Sequence, residues 1–134
     1  MFGMKNKKQP PIRSLVGEGT VITGHLRFTD GLRVDGVVNG DVIASDEDAG
    51  SILVISENAR VHGKVKASHV IINGEVHGPI HCTELLELQP KARVMGDIRY
   101  ELLEMHAGAQ VGGELTPLRN SEKPALKLAA LKEA

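Results

Sequence analysis

The sequence predicts an all-β solenoid, and three observations predict it. A pentad of the form aliphatic, any, Gly, any, aliphatic recurs six times, at Ile22–Leu26, Val38–Val42, Val61–Val65, Val76–Ile80, Val94–Ile98 and Val111–Leu115. Within each unit the Val, Ile and Leu residues sit two apart, the period of a strand, and helical spacing is sustained nowhere between Leu15 and Leu118. The pentads start 16, 23, 15, 18 and 17 residues apart, too close for a propeller blade or a helix pair but long enough for one coil of short strands and corners. In such a coil each strand pairs with its counterpart roughly 4.8 Å away, so similar residues stack in columns.

Composition agrees with one domain and two tails. The 134 residues are 41% hydrophobic and 25% charged, enough for a packed core. No apolar run approaches the roughly 20 residues that cross a bilayer. A net charge of −1 and 2% aromatic residues weigh against a nucleic-acid binder, which needs a basic face or stacking rings. Lys7-Lys8 lead into Gln9-Pro10-Pro11 rather than an apolar stretch, and Cys82 is the single cysteine, so the expected location is the cytosol.

Residues 1–13 precede the repeat. Met1, Phe2 and Met4 lie beside Lys5, Lys7 and Lys8, an apolar tip with a basic cluster, which are the two signals of a peripheral membrane anchor. The competing reading is a solubilising arm. The repeat domain occupies residues 14–118. Its one long spacing contains Ser45-Asp46-Glu47-Asp48-Ala49-Gly50-Ser51, which reads as a loop inserted into an otherwise regular coil. Two units carry a second glycine, Gly36 before Gly40 and Gly74 before Gly78. The others carry a turn-like stretch at Gly17–Thr20, Ser56–Ala59, Gln89–Ala92 or His106–Ala109, and the two kinds alternate until the second occurs twice. Residues 119–134 form a C-terminal tail. From Pro124 onward it favours helix by propensity but is too short to hold one alone, so it is expected to be disordered or to fold on a partner.

Stacking in columns accounts for residues that otherwise look functional. The glycines at 24, 40, 63, 78, 96 and 113 share one column, which demands either a tight bend or close backbone approach. Cys82 falls in line with Phe28, Ala44, Ala67 and Tyr100, as a small core thiol. Asp41 and Lys64 follow successive glycines and are placed to attract as cross-strand neighbours. His62 and His77 occupy equivalent positions about 5 Å apart. Zinc wants a third ligand there, and that column offers Thr23, Asn39, Met95 and Gly112, so solvent-facing histidines are expected. No GxxxxGK[ST] or GxSxG motif is present, and the one Gly-Lys pair, Gly63-Lys64, has Asn58 where the first glycine belongs and Val65 after it. No catalytic, cofactor-binding or metal residue is assigned, and no enzyme activity is expected.

Three segments carry a family resemblance: Leu15-Val16-Gly17-Glu18-Gly19-Thr20, the double-glycine unit from Gly31 to Val42, and Val70-Ile71-Ile72-Asn73-Gly74-Glu75-Val76-His77-Gly78. In this order and spacing the chain resembles the bactofilins, bacterial polymer-forming cytoskeletal proteins, from about Ser14 to Leu118. The six repeat units predict about six coils, and the resemblance implies that the parallel β-helix they build is right-handed and three-sided, with flexible tails. It also implies end-to-end, nucleotide-independent assembly into nonpolar filaments at the inner face of the cell membrane. Service in cell shape, in placing envelope-building enzymes or in organising the chromosome is implied in the same way.

A solenoid has two ends, each with unpaired backbone groups and apolar side chains that template association unless capped. The candidate polymerisation residues are Leu15, Leu26 and Phe28 at one end and Leu102, Met105, Val111, Leu115 and Leu118 at the other. From sequence alone, head-to-tail joints are as open as like-to-like ones. The alternatives are a solenoid adaptor that does not polymerise and a hexapeptide-repeat acyltransferase, the latter needing a near-continuous six-residue register.

Overall fold

The computed structural model describes residues 11–45 and 50–119. They form six coils, each contributing one strand segment to each of three faces, and every strand pairing among the described residues is parallel. The first coil holds β1 (Ile12–Val16), β2 (Val21–Thr23) and β3 (Leu26–Phe28), and the second holds β4 (Gly31–Val34), β5 (Val37–Asn39) and β6 (Val42–Ala44). The third holds β7 (Ile52–Ile55), β8 (Arg60–His62) and the start of β9 (Val65–Ile72). The fourth takes the rest of β9, β10 (Glu75–His77) and the start of β11 (Ile80–Leu88). The fifth continues through β11, β12 (Arg93–Met95) and the start of β13 (Ile98–Met105), and the sixth ends with β14 (Gln110–Val111) and β15 (Leu115–Pro117).

The first face is the six-stranded sheet β2-β5-β8-β10-β12-β14. The second and third faces form one larger sheet, because β9, β11 and β13 each run on through the corner between them. The expected loop lies at that same corner, between the end of β6 at Ala44 and the start of β7 at Ile52; residues 46–49 lie outside the described residues. β1 starts at Ile12, inside the segment expected to be tail, and Arg13 Nε stands 2.9 Å from Asp30 Oδ2.

The core is the stack of inward residues from the three faces. Val38, Val61, Val76 and Val94 form one column; Val42, Val65, Ile80 and Ile98 a second; and Leu32, Leu53, Val70 and Leu86 a third. All are buried, as small aliphatic side chains must be in a coil this narrow. The column expected for Cys82 is present, with Ala67 below and Tyr100 above in register.

Gly40, Gly78 and Gly96 need both the tight bend and the close backbone approach, Gly63 and Gly113 the close approach, and Gly24 the positive φ. At Gly78 the backbone φ is +155°, and a Cβ there would fall on the carbonyl oxygen of Gly63 one coil below. The alternation of glycine-rich and turn-like corners has a similar cause. The four-residue turns are closed by Thr20 N–H to Gly17 O at 3.0 Å and Ala59 N–H to Ser56 O at 2.9 Å. Gly36 sits tightly over the first of these, where a Cβ would strike the carbonyl oxygens of Gly17 and Thr20. The tight corner is knitted to its neighbours: Asp35 N–H donates to Val16 O at 2.7 Å. A hydrogen bond from Ser56 lowers the Asp35 carboxyl below its ordinary value; burial opposes this and Arg33, at 3.0 Å, assists it.

The residues after the glycines form a second ladder. Asp41 meets Lys64 through the backbone, Lys64 N–H donating to Asp41 Oδ1 at 2.9 Å, and Glu114 N–H donates to Asp97 Oδ1 at 3.0 Å. The side-chain attraction expected between Asp41 and Lys64 is thereby replaced by a cap on a corner amide. The Lys64 side chain has no acceptor to offer the next coil, and the residue stacked on it is Pro79, which has no N–H to satisfy.

Candidate functional site

The inner columns are sealed in the middle coils and uncovered at both ends. At the N-terminal end β2 and β3 each have one partner, and Ile22 and Leu26 are half-buried where Val38 and Val42, one coil on, are fully buried. Phe28 is 6% exposed and belongs to the core. A cleft of about 460 Å³ opens beside it, bounded by Leu15, Leu26, Phe28 and Leu32 with Arg13 and Arg27 at its rim. At the C-terminal end β14 and β15 have one partner each. Val111 continues the column of Val94 and Leu115 that of Ile98, and Met105 continues that of Leu88. Met105 is 45% exposed and Leu115 39%, whereas their partners one coil down are fully buried. Leu118 is half-buried, its N–H donating to Tyr100 O at 2.6 Å.

Two of the sequence-derived residues point elsewhere. Leu15 pairs with Arg33 and is 61% exposed, while its neighbour Val16 is buried, so Leu15 lies on the outer side of the third face. Leu102 pairs with Leu85 and is also 61% exposed on that outer side. The residue that closes the inner column is Leu103, in register with the fully buried Leu86. Ile22 plays the same part at the first end. Both were recoverable from sequence, Ile22 as the opening residue of the first pentad and Leu103 from strand parity relative to Leu86. Met1, Phe2, Met4, Lys5, Lys7 and Lys8 lie outside the described residues.

The reactive groups elsewhere are quiet or solvated. Cys82 is free and fully buried, its thiol donating to Ser68 O at 3.1 Å, and burial raises it from 9.0 to about 11, which keeps it protonated. His62 and His77 stack with ring centroids 5.0 Å apart on the outer side of the first face, both exposed. Among the described residues no helix is long and apolar enough to cross a membrane.

Fold and ends together define a parallel β-solenoid scaffold whose terminal strands are each half-partnered. The family model described as "Bactofilin: Polymer-forming cytoskeletal" matches residues 14–116. The chain belongs to the bactofilin family of polymer-forming cytoskeletal proteins. It is 30% identical to Bactofilin BacP of Myxococcus xanthus (strain DK1622) over 102 residues, a match covering 76% of this chain and 40% of BacP. It is 26% identical to Bactofilin BacO of the same strain over 102 residues, covering 76% of this chain and 77% of BacO. The chain therefore spans well under half of BacP. No solved structure matches.

Proposed function

We propose that this protein polymerises through its end coils into nonpolar filaments, without nucleotide, and that the filaments lie on the inner face of the cell membrane as a scaffold for cell shape or for placing partner proteins. The carrying observation is the contrast within single columns: Ile98 is fully buried under Leu115, and Leu115 is 39% exposed because nothing among the described residues stacks on it. Covering such a face removes apolar surface from water and supplies partners to strand edges, which drives assembly without an energy source. Like-to-like joints are favoured by Ser14. In a head-to-tail joint Leu103 would seat on Ser14, which occupies the inner column of β1 through its pairing with Leu32. Two C-terminal faces meeting instead present one and the same apolar surface, carrying Leu103, Met105 and Leu115, to each other, a self-complementary contact.

Membrane attachment is assigned to Met1, Phe2 and Met4 with Lys5, Lys7 and Lys8, each tail weak and many tails joined by a filament strong. The testing experiment is negative-stain electron microscopy of the purified full chain in nucleotide-free buffer, with light scattering in parallel. Filaments unaffected by added ATP or GTP are expected. A strictly monomeric species at high concentration overturns the proposal, and class averages lacking a two-fold at the joints replace the nonpolar filament with a directional one.

A further inference from the structure

We propose that Glu87, Glu104 and His106 form a site for a borderline divalent cation, zinc foremost, that ties the sixth coil to the fifth; this stands whether or not the ends assemble. Glu87 and Glu104 are register partners on the outer side of the third face, so two carboxylates stack in adjacent coils with like charges opposed. His106 lies in the turn that follows β13 and turns its ring toward both. Its Nε2 stands 3.4 Å from Glu104 Oε2 and 3.7 Å from Glu87 Oε2, and the three ligand atoms all lie within 4.8 Å of one another.

Those separations exceed the roughly 2.7–3.2 Å of a good N–H···O hydrogen bond. The 3.4 Å from His106 to Glu104 equals the edge of a tetrahedron around a metal with bonds of about 2.1 Å, and the 3.7 Å to Glu87 is a few tenths of an ångström longer. The Nε2 atom is itself shielded from solvent and makes no hydrogen bond, a polar atom facing two carboxylates without a proton bridge to either. The surroundings hold the ligands in place: Gln89 Nε2 donates to Glu87 Oε2 at 3.0 Å, and His106 N–H donates to Leu88 O at 2.9 Å. One imidazole and two carboxylates suit zinc and leave a fourth position open, whereas magnesium favours an octahedron of oxygens.

The test uses the full chain, stripped with a chelator and desalted, titrated with zinc chloride by calorimetry at neutral pH and melted with and without zinc. One zinc per chain and a raised melting temperature are expected. Glu104→Gln and His106→Gln should each weaken zinc binding at least about tenfold and remove the thermal shift, with circular dichroism confirming that both fold. His62→Gln, at the stacked histidine pair, should retain both. The proposal is overturned if the parent binds no zinc, if His62→Gln loses the zinc while His106→Gln keeps it, or if magnesium at equal concentration displaces it. Stabilisation that appears on acidification and ignores zinc would mean an imidazolium between two carboxylates, and would also overturn it.

Discussion

Lys64 donates its backbone N–H to the Asp41 carboxylate at 2.9 Å, and Pro79, stacked on Lys64, has no N–H to donate. At these two rungs the ladder supplies an acceptor where the Lys64 amide stands above Asp41 and dispenses with the amide where the Lys64 side chain offers no acceptor. Asp41→Ala should lower stability by about 1 kcal/mol, as the loss of one partly exposed hydrogen bond. Asp41→Asn should lose less than Asp41→Ala, because the amide oxygen still accepts, though more weakly than the carboxylate. Thermal melts of the two variants beside the parent check this.

The glycine column predicts a sharp contrast between two glycine-to-alanine changes. Gly78→Ala places a Cβ on the Gly63 carbonyl oxygen at φ +155° and should cost about 3 kcal/mol or more, with loss of the strand signal at physiological temperature. Gly17→Ala meets nothing within 4 Å and should change stability by less than about 0.5 kcal/mol. Denaturation followed by circular dichroism separates them.

Cys82 predicts a pH dependence. Its thiol is raised from 9.0 in the ordinary case to about 11 in the fold by burial. Below pH 9 both states hold the proton; from 9 to about 11 the unfolded chain releases it first, so stability falls through that window, in full by about 2–3 kcal/mol. Cys82→Ala should show a shallower fall over the same range. A thiol reagent at pH 8 should label the native parent only at the rate of unfolding.

The end faces predict which leucines matter for assembly. Leu103→Arg, Leu115→Arg and Leu118→Arg should each abolish filaments and leave the strand content intact, since a charge would be trapped in the joint. Leu102→Arg, on the outer side of the third face, should still assemble. Sedimentation and electron microscopy read this out, and filaments of unchanged length from Leu103→Arg would place the joint elsewhere.

The N-terminal segment predicts membrane binding that deletion removes. Because β1 begins at Ile12, the deletion should stop at residue 10 so that the first coil keeps its pairing. Full-length protein should pellet with anionic liposomes and the shortened chain should stay in the supernatant. Equal pelleting would remove the anchor.

Much of this architecture was legible because two periods coincide in the sequence. The alternation of Val, Ile and Leu marks strands, and the recurring glycine marks coils, which together put Cys82 over Ala67 and His62 against His77. The end faces were legible only in part, and the corner between the second and third faces is the reason. In β11 two residues, Thr83 and Glu84, separate the register positions Cys82 and Leu85, whereas in β13 Glu101 alone separates Tyr100 and Leu102. Losing one residue there flips the parity of the rest of the strand, so counting by twos from Tyr100 puts Leu102 inside while the pairing puts Leu103 there. The Glu87, Glu104 and His106 group was missed for a different reason: it joins an outward strand column to the corner turn that follows it, and the repeat was read column by column.

Each pentad glycine from Gly40 to Gly113 meets the carbonyl of the pentad glycine one coil below it. The molecule is consequently modular along its axis: a lineage can lengthen or shorten it by duplicating or deleting a whole turn, while a half-turn indel would throw every later glycine out of line. Axial length in this chain is thus a heritable quantity that changes in discrete steps, like the number of links in a chain rather than the length of a rope.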